Sequence, residues 1–221
     1  MDWLPLYLSA KLALVTTVIL IILTAPLAYI LAFCRFPGKT LVEALVNLPV
    51  VLPPTVLGFY LLIYMGPQGA LGRLWEACTG TSLIFTFPGI VLASLLYSLP
   101  FAVQPMRAAF EKLDRRLLES AHILGLYPVA TFFRVVLPNA RGGLIASAIL
   151  VFAHTLGEFG VILMVGGSIP GKTKVASIAI FEAVEALRYR EAMILSLTLI
   201  PVCYLILLLV NLLNRKSAYG S

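Results

Sequence analysis

Charge is scarce in this sequence. Only 12% of its 221 residues are Asp, Glu, Lys or Arg, whereas a soluble domain carries about 25%. Hydrophobic residues make up 61% of the chain, and the mean hydropathy is +1.01. Because so few residues favour contact with water, the composition excludes an ordinary soluble domain and predicts a protein that resides in a lipid bilayer.

Cysteine and histidine are scarce too. Cys34, Cys78 and Cys203 are far apart, and their odd number and irregular spacing match no metal pattern, so we interpret them as packing residues. His122 and His154 are equally isolated. The sequence also lacks a nucleophile–base pair and an Asp-rich phosphate site. It therefore predicts no cofactor, no metal and no catalytic centre in this chain, and it disfavours a membrane enzyme.

Long uncharged runs are abundant. A hydrocarbon core of about 30 Å requires roughly 20 helical residues. Five runs are long enough, although one of them contains His154 and Glu158. They cover residues 12–33, 44–66, 83–106, 142–169 and 192–214. We therefore predict one all-α integral membrane domain over residues 1–221 with five transmembrane helices, which fits a secondary transporter poorly because no inverted repeat accompanies them.

The segment 175–186 is a weaker candidate for a span. It includes Glu182 and Glu185, and a dozen helical residues reach only about 18 Å. We expect a short re-entrant or interfacial segment there. The first apolar run is too long for the core of a secretory signal and has no basic leader, so it is predicted to remain as a membrane helix.

The orientation follows from Lys and Arg, which accumulate on the cytoplasmic side of membrane proteins. With the N-terminus outside and the C-terminus inside, ten basic residues are cytoplasmic and six are external. This orientation places residues 107–141 in the cytoplasm, and it explains the net charge of +6 without a nucleic-acid partner. The cytoplasmic residues are Arg35, Lys39, Arg107, Lys112, Arg115, Arg116, Arg134, Arg141, Arg215 and Lys216.

The cytoplasmic stretch 107–141 contains an amphipathic helix. Asp114 can cap its N-terminus, and apolar residues recur at helical spacing opposite a charged side. The pattern alone leaves two interpretations open, a docking surface for a soluble partner and a segment lying on lipid headgroups. The apolar residues are Leu113, Leu117, Ala121 and Leu124.

A second short helix follows the first. Gly125 is expected to end the first helix in the left-handed conformation, and Pro128 suits the first turn of the next one. The second helix is predicted to run to Pro138, where the chain returns to the membrane. The two helices would then form an elbow, residues 114–138, anchored at both ends by membrane helices.

The spacing within this elbow resembles the EAA loop of ABC importer permeases. That pattern is Glu-Ala-Ala, three residues, Gly, nine residues, Ile, one residue and Leu-Pro, and this chain departs from it only at Ser120 and Val135. In that family the loop docks into a groove of the ATP-hydrolysing subunit, so the resemblance implies a coupling helix. The matching positions are Glu119, Ser120, Ala121, Gly125, Val135, Leu137 and Pro138.

Four further segments, 36–39, 48–62, 87–101 and 156–167, resemble permeases for tetrahedral oxyanions, most closely those for molybdate. Sulfate and tungstate permeases share much of the pattern. The resemblance implies a multi-pass subunit of the cytoplasmic (inner) membrane that moves the oxyanion inward. It also implies two ATP-binding subunits and a periplasmic or lipid-anchored oxyanion-binding protein as partners. Because one chain is small for a conduit, we expect a homodimer.

Three prolines interrupt the second predicted span. Pro49, Pro53 and Pro54 each remove a backbone donor, and such breaks are tolerated where the freed carbonyl groups face protein or water. A pore-lining segment and an ordinary packing kink both remain open.

Glu158 is an ionisable residue inside an apolar run, flanked by Gly157 and Gly160. Such residues usually face a cavity or a partner, so we predict a structural or gating role, with a hydrogen bond to His154 one turn earlier. The alternative is a hydrated carboxylate at the outer end of the span.

Residues 166–173 satisfy the Walker A expression G-x-x-x-x-G-K-[ST]. A phosphate-binding loop requires a preceding strand and a following helix in a soluble sheet domain, whereas this segment follows a predicted span on the outer side. We therefore interpret it as an external loop whose Lys172 and Lys174 face the acidic surface of a partner.

Overall fold

The computed structural model describes residues 3–218, with side chains given for residues 3–205, 208 and 212. The predicted cytoplasmic side chains of Arg215 and Lys216 lie outside that set. Within the described range every regular element is helical. The helices are α1 (Leu4–Phe33), α2 (Lys39–Val51), α3 (Pro54–Met65), α4 (Ala70–Thr79), α5 (Phe87–Tyr97), α6 (Leu99–Glu111), α7 (Arg115–Ile123), α8 (Pro128–Thr131), α9 (Leu137–Asn139), α10 (Arg141–Leu156), α11 (Gly160–Gly166), α12 (Ala176–Glu185) and α13 (Tyr189–Ala218), and a π-helical stretch, Phe132–Val136, joins α8 to α9.

The predicted all-helical architecture is confirmed, whereas the count of five spans stays a prediction. Among the described residues, α1 alone is long and apolar enough to cross a membrane as one helix. Up to four spans result if each of three bent pairs is counted as one span. The pairs are α2 with α3, bent by 111°, α5 with α6, bent by 44°, and the segment 128–139 with α10, bent by 76°.

The first helix is longer than the uncharged run that predicted it. It begins at Leu4, where Pro5 occupies a first-turn position that needs no backbone donor. Its 30 residues extend about 45 Å, more than the hydrocarbon thickness of a bilayer. This helix is long enough for its N-terminal and C-terminal halves to pack against different parts of the chain.

The second predicted span breaks at one of its three prolines. Leu52 and Pro53 have extended backbone, with ψ values of 136° and 135°, and Pro54 starts α3. A residue that precedes proline disfavours helical geometry, so two consecutive prolines end α2 and turn the chain by 111°. Pro49, by contrast, is buried inside α2 without ending it.

Packing is organised around α1, α6 and α10, which contact one another. The C-terminal half of α1 packs in a cluster that we call the elbow cluster, because it includes Val136 of the elbow. The N-terminal half packs in a different cluster with α5, α11 and α12. The elbow and the α11–α12 loop therefore lie towards opposite ends of α1. The buried members of the elbow cluster are Ala25, Ala28, Leu31, Val46, Val103, Met106, Phe110, Val136 and Ala140.

The predicted short segment 175–186 forms the ten-residue α12. At 1.5 Å per residue it reaches only about 15 Å, which is too short to cross a bilayer. The amide of Ala176 donates to Ser9 Oγ of α1 at 2.8 Å, and α12 also packs on α13. The start of α12 is thereby attached to the N-terminal part of α1.

Candidate functional site

The elbow begins with a capped helix, as predicted. The Asp114 carboxylate accepts a hydrogen bond from the Arg116 amide at 2.9 Å, which satisfies one of the unpaired donors at the start of α7. Ala121 is buried at 2% exposure, and Leu113 and Leu118 pack against the elbow cluster. One face of α7 is therefore held by the body of the protein.

Gly125 makes the corner, also as predicted. Its φ is +74°, in the left-handed region that glycine adopts without strain. The amide of Leu126 donates to the Ala121 carbonyl at 3.0 Å, and the amide of Gly125 donates to the His122 carbonyl at 2.9 Å. These two bonds form a Schellman motif, which ends α7 before Pro128 opens α8.

The segment after the Gly125 corner, residues 128–139, which we call the return limb, differs from the prediction. Pro138 lies within α9 and does not end the helix, and the chain turns only at Ala140, before Arg141 starts α10. Pro138 cannot donate to the carbonyl of Arg134, and the preceding turn is a π-helix in which Leu137 donates to Phe132. This wider turn accommodates the proline without breaking the limb.

Aromatic contacts fix the elbow to two long elements. The ring of Phe132 lies 5.3 Å from that of Tyr29 in α1 and 6.4 Å from that of Phe110 in α6, both edge to face. Such pairs contribute roughly 0.5–1.5 kcal/mol each beyond the area they bury. These contacts attach the elbow to α1 and α6.

The outer face of the elbow exposes apolar side chains. Ile123 is 84% exposed and Leu124 is 80% exposed, beside the exposed Glu119 and Ser120. Leu117, another of the four apolar residues at helical spacing, is also 43% exposed. Leu124 lies just beyond the end of α7, so helical periodicity does not determine the direction of its side chain.

The other elbow positions vary in burial. Val135 and Leu137 are half-buried, whereas Gly125 and Pro138 are exposed. Sequence reasoning missed Ile123, for which the signal was an apolar residue out of phase with the buried face.

Polar contacts join α6 to α2 near the elbow, and sequence reasoning missed them. Arg107 pairs with Glu43 at 2.9 Å, and Gln104 donates to Asn47 Oδ1 at 2.6 Å. The two contacts are one helical turn apart on each helix. Together they join α6, which leads into the elbow, to α2, which ends at the proline break.

The break between α2 and α3 packs against the segment that contains Glu158. A Cβ atom on Gly160 would lie 3.0 Å from Pro54 Cβ, and one on Gly58 would lie 2.8 Å from Met164 Cβ. Helices α3 and α11 therefore approach closely because these two positions carry no side chain. The structure thus brings together Pro54 and Gly160, two of the gate candidates.

Glu158 is buried in the break between α10 and α11. Glu158 is 4% exposed, and neither carboxylate oxygen meets the geometry of a hydrogen bond with a described residue, although the Ser94 hydroxyl, which also lacks a partner, lies close enough to interact with it. Its backbone carbonyl accepts from Ser177 Oγ at 2.6 Å, which attaches the break to α12. This burial favours the predicted structural or gating role over a hydrated carboxylate. Gly157, at the end of α10, is exposed.

His154 has partners other than the predicted one. Its Nδ1 lies 2.9 Å from Ser98 Oγ, and its ring stacks on Phe101 with centroids 4.1 Å apart. The expected hydrogen bond to Glu158 is not formed, because α10 ends at Leu156 and the two residues do not share a helix.

The Walker-like loop is closed by its own hydrogen bonds. Thr173, fully buried, donates from Oγ1 to the Gly166 carbonyl at 2.7 Å and accepts from the Ile169 amide at 3.1 Å. The hydroxyl that would contact a nucleotide-bound metal in a phosphate loop is thus already used. The loop follows α11 and precedes α12, so it lacks the strand that a phosphate loop requires.

Lys172 and Lys174, both predicted to lie in an external loop, have different surroundings. Lys172 is exposed and makes no ion pair among the described residues, whereas Lys174 forms a salt bridge with Glu182. Burial would raise the pKa of the Glu182 carboxyl, but the hydrogen bond and charge of Lys174, with the charge of Arg188, lower it below its ordinary value. Of the two lysines, therefore, only Lys172 makes no ion pair with a described residue.

Known proteins share both the sequence and the fold. The chain is 51% identical over 191 residues to the molybdenum transport system permease protein ModB of Azotobacter vinelandii, covering 86% of this chain and 84% of that one. It is 34% identical over 190 residues to the sulfate transport system permease protein CysT of Escherichia coli K12, covering 86% of this chain and 68% of that one.

A solved structure has the same helical arrangement. It is a bacterial alginate ABC transporter in complex with an alginate pentasaccharide-bound periplasmic protein, with a TM-score of 0.74 at 17% identity, covering 96% of this chain and 78% of that chain. At this identity the likeness shows the fold alone. The family model of the binding-protein-dependent transport system inner membrane component matches residues 21–218, and the chain belongs to that family.

Proposed function

We propose that this chain is the molybdate permease subunit of an ATP-driven ABC importer. The observation that carries the proposal is the 51% identity over 191 residues to ModB of Azotobacter vinelandii. The capped and glycine-turned elbow, with its exposed apolar tip, supports it because a coupling element must present a rigid surface to a soluble partner. Since members of this family are transport components, the chain acts as a transport subunit and not as an enzyme.

The elbow receives movement from the ATP-binding subunit. Ile123 and Leu124 provide the apolar contact, and Glu119 lies beside them on the exposed face. From there Phe132 transmits displacement to α1 and α6 through its ring contacts. The Arg107–Glu43 pair then transmits displacement of α6 to α2.

The gate lies where the broken helices meet. Displacement of α2 reaches the turn at Pro53 and Pro54, and Pro54 packs against Gly160 at the start of α11. Glu158, two residues earlier, is buried with no well-formed hydrogen bond to its carboxylate from the described residues, so a change in this packing changes its surroundings. We infer that Gly157, Glu158 and Gly160 move with α11 as the path opens, while His154 is held by Ser98.

The assembly contains two copies of this chain, two ATP-binding subunits and an oxyanion-binding protein. The elbow end faces the cytoplasm, with the N-terminus outside, in a multi-pass subunit surrounded by lipid. The binding protein docks at the α11–α12 loop, where the unpaired Lys172 meets its acidic surface. Each copy crosses the membrane five times, and α12 lies at the outer interface of the bilayer.

Transport in proteoliposomes tests the proposal. The permease is reconstituted with its ATP-binding subunit and binding protein, and uptake of labelled molybdate, tungstate and sulfate is measured with and without ATP. We expect ATP-dependent molybdate uptake that a large excess of sulfate does not suppress. Uptake that persists without ATP, or without the ATP-binding subunit, contradicts the importer assignment.

Sulfate is the second candidate substrate, and tungstate is the third. The 34% identity to CysT of Escherichia coli K12 favours sulfate over an unrelated solute, but this identity is lower than that to ModB. Sulfate uptake that exceeds molybdate uptake in the same vesicles would assign the chain to sulfate transport while leaving its role as a permease intact.

A further inference from the structure

A cavity with an apolar and a basic part lies where α1 and α13 begin. It encloses about 570 Å³, and its lining comes from the starts of these two helices, from α12 and from the end of the α11–α12 loop. This volume is typical of sites that hold a small molecule or the headgroup of a larger one. The apolar wall of the cavity consists of Pro5, Ala179, Ile194 and Leu195.

The remaining lining is charged, with Lys174, Arg188, Arg190 and Glu191 among the described residues. Arg188 pairs with Glu191 at 2.9 Å. Lys174 pairs with Glu182, which lies outside the lining. Arg190 is exposed and makes no ion pair among the described residues. Since the other two cations are each matched by one carboxylate, the site has a surplus of one positive charge, located at Arg190.

The turn that carries both arginines has a fixed backbone. The Leu187 amide donates to the Val184 carbonyl at 3.0 Å. The Arg188 amide donates to the Ala183 carbonyl at 2.8 Å, so α12 ends in a Schellman motif. Leu187 occupies the left-handed position of this motif, with φ of +58°. The two guanidinium groups therefore extend from a turn whose direction is set by these hydrogen bonds, at the edge of the cavity.

Two exposed aromatic residues indicate the depth of the cavity in the membrane. Trp3 precedes α1 and is 52% exposed, and Tyr189 opens α13 and is 61% exposed. Trp and Tyr are enriched where a bilayer meets water, at the level of the lipid headgroups. The uncharged run 192–214, a predicted span, begins directly after the charged turn and includes the α13 residues of the apolar wall. The basic part of the cavity therefore lies at headgroup level, and the apolar wall lies beside the start of the acyl region.

We propose that this cavity binds one anionic phospholipid, with its phosphate on Arg190 and the first part of an acyl chain against the apolar wall. A guanidinium group binds phosphate oxygens through two parallel hydrogen bonds. Arg188 uses one of its N–H groups for Glu191 and keeps the others for the same phosphate.

Charge and shape favour this occupant over two related ones. The phosphodiester of phosphatidylglycerol carries a single negative charge, which matches the surplus at Arg190, whereas a free divalent oxyanion exceeds that surplus and leaves the apolar wall without contacts. A zwitterionic lipid leaves the surplus uncompensated, because its own cation neutralises its phosphate. The inference is independent of the transported solute, since it requires only that α13 begins at a membrane surface.

Competition between two lipids tests the site. The full-length permease is purified in detergent and mixed with equal amounts of dioleoylphosphatidylglycerol and dioleoylphosphatidylcholine, and the first bound lipid is identified by native mass spectrometry. We expect the wild type to prefer phosphatidylglycerol. Arg190→Gln should lower this preference by about fivefold, the change expected for one basic residue near anionic lipid, and Arg190→Lys should keep most of it. Glu191→Gln should raise it, because the carboxylate that opposes the phosphate is removed.

Arg73→Gln is the matched control. Arg73 is exposed on α4, outside the cavity, and makes no ion pair among the described residues, so the preference should not change. An equal loss in Arg73→Gln and Arg190→Gln would show a general attraction of basic residues and would overturn the proposal. A wild type without the preference, or a preference unchanged in Arg190→Gln or lowered in Glu191→Gln, would also overturn it.

Thermal unfolding identifies the source of the phosphate group. Phosphatidylglycerol should raise the unfolding midpoint of the wild type more than that of Arg190→Gln, while the two proteins should unfold at the same midpoint in phosphatidylcholine alone. Inorganic phosphate, which has no acyl chain, should raise neither midpoint, and an equal rise with inorganic phosphate would assign the cavity to a free anion instead. The lipid preference should persist when the oxyanion-binding protein is added, and its loss would assign the cavity to that protein.

Discussion

The Leu126 amide lies 3.0 Å from the Ala121 carbonyl oxygen, and this hydrogen bond closes α7 around Gly125. The angle between the two limbs of the elbow therefore depends on one backbone conformation, with φ of +74°. No atom of the described residues lies within 4 Å of the place where a Cβ atom on Gly125 would be. A substitution there is opposed by backbone strain and not by a collision.

Gly125→Val should disconnect the elbow from the ATP-binding subunit. A left-handed residue with a side chain costs roughly 1–2 kcal/mol, and a β-branched one more, whereas Asn tolerates the conformation. We expect Gly125→Val to reach normal membrane levels but to lose the co-purifying ATP-binding subunit and uptake, and Gly125→Asn to retain most of both. Full retention of subunit and transport by Gly125→Val would show that the elbow is not the coupling element.

The exposed tip gives a second test of docking. Ile123→Ser and Leu124→Ser should each weaken binding of the ATP-binding subunit by about tenfold or more, because full burial of such a side chain contributes about 1.5–3 kcal/mol. The thermal stability of the isolated permease should not change, since both side chains are exposed in it. Leu74→Ser, at a position 63% exposed on α4, serves as the matched control. Unchanged affinity in both tip variants would place the docking face elsewhere.

Glu158 should lower the thermal stability of the permease and yet be required for transport. A buried polar group without a partner costs about 1–3 kcal/mol, so Glu158→Leu should raise the midpoint of thermal unfolding and abolish uptake. Glu158→Gln preserves the shape and should retain more transport than the Leu variant, and Glu185→Gln, at an exposed site, should change neither property. A lower midpoint in Glu158→Leu would mean that the carboxyl has a stabilising partner, and wild-type uptake by both variants would exclude a gating role.

Lys172→Ala should separate docking from nucleotide chemistry. Because this lysine is exposed on a loop closed by Thr173, we expect ATP hydrolysis by the assembled transporter to persist while the affinity for the binding protein falls. Arg73→Ala, which removes another exposed cation, provides the comparison. Loss of nucleotide binding by the purified permease alone would contradict both the topology and the subunit assignment.

The Lys174–Glu182 salt bridge predicts a pH dependence. The folded pKa of Glu182 lies below its ordinary value of 4.5, so the contribution of the pair is complete above that value and disappears as the pH falls through the lowered folded pKa. The free energy of unfolding should therefore be higher in the wild type than in Glu182→Gln at neutral pH, by less than about 1 kcal/mol because the pair is partly exposed. The difference should vanish in acid, and a difference that grew in acid would contradict the assigned direction.

The conformational preferences of single residues were sufficient to predict several features of the elbow. Asp114 caps α7, Gly125 takes the left-handed conformation and Pro128 opens α8, each as predicted. These outcomes depend on the conformational preferences of one residue and on hydrogen bonds to residues within a turn, so they do not require knowledge of distant contacts. The path of the return limb could not be predicted in the same way, because the effect of Pro138 depends on whether the preceding helical turn can widen into a π-helix.

Composition and spacing also determined the class of protein. The low charge predicted a helical membrane protein, since a bilayer requires backbone groups to be satisfied within each segment, and the elbow spacing predicted the transporter family that the comparisons confirm. Only the tertiary structure decided that Ser98 is the partner of His154, that the carboxylate of Glu158 is buried and forms no hydrogen bond with His154, and that Ile123 and Leu124 are exposed. Ser98 and His154 are 56 positions apart, and burial depends on which helices lie against a given face. Neither a contact between distant positions nor the absence of one can be read from periodicity, because periodicity describes one helix while burial depends on all the helices packed around it.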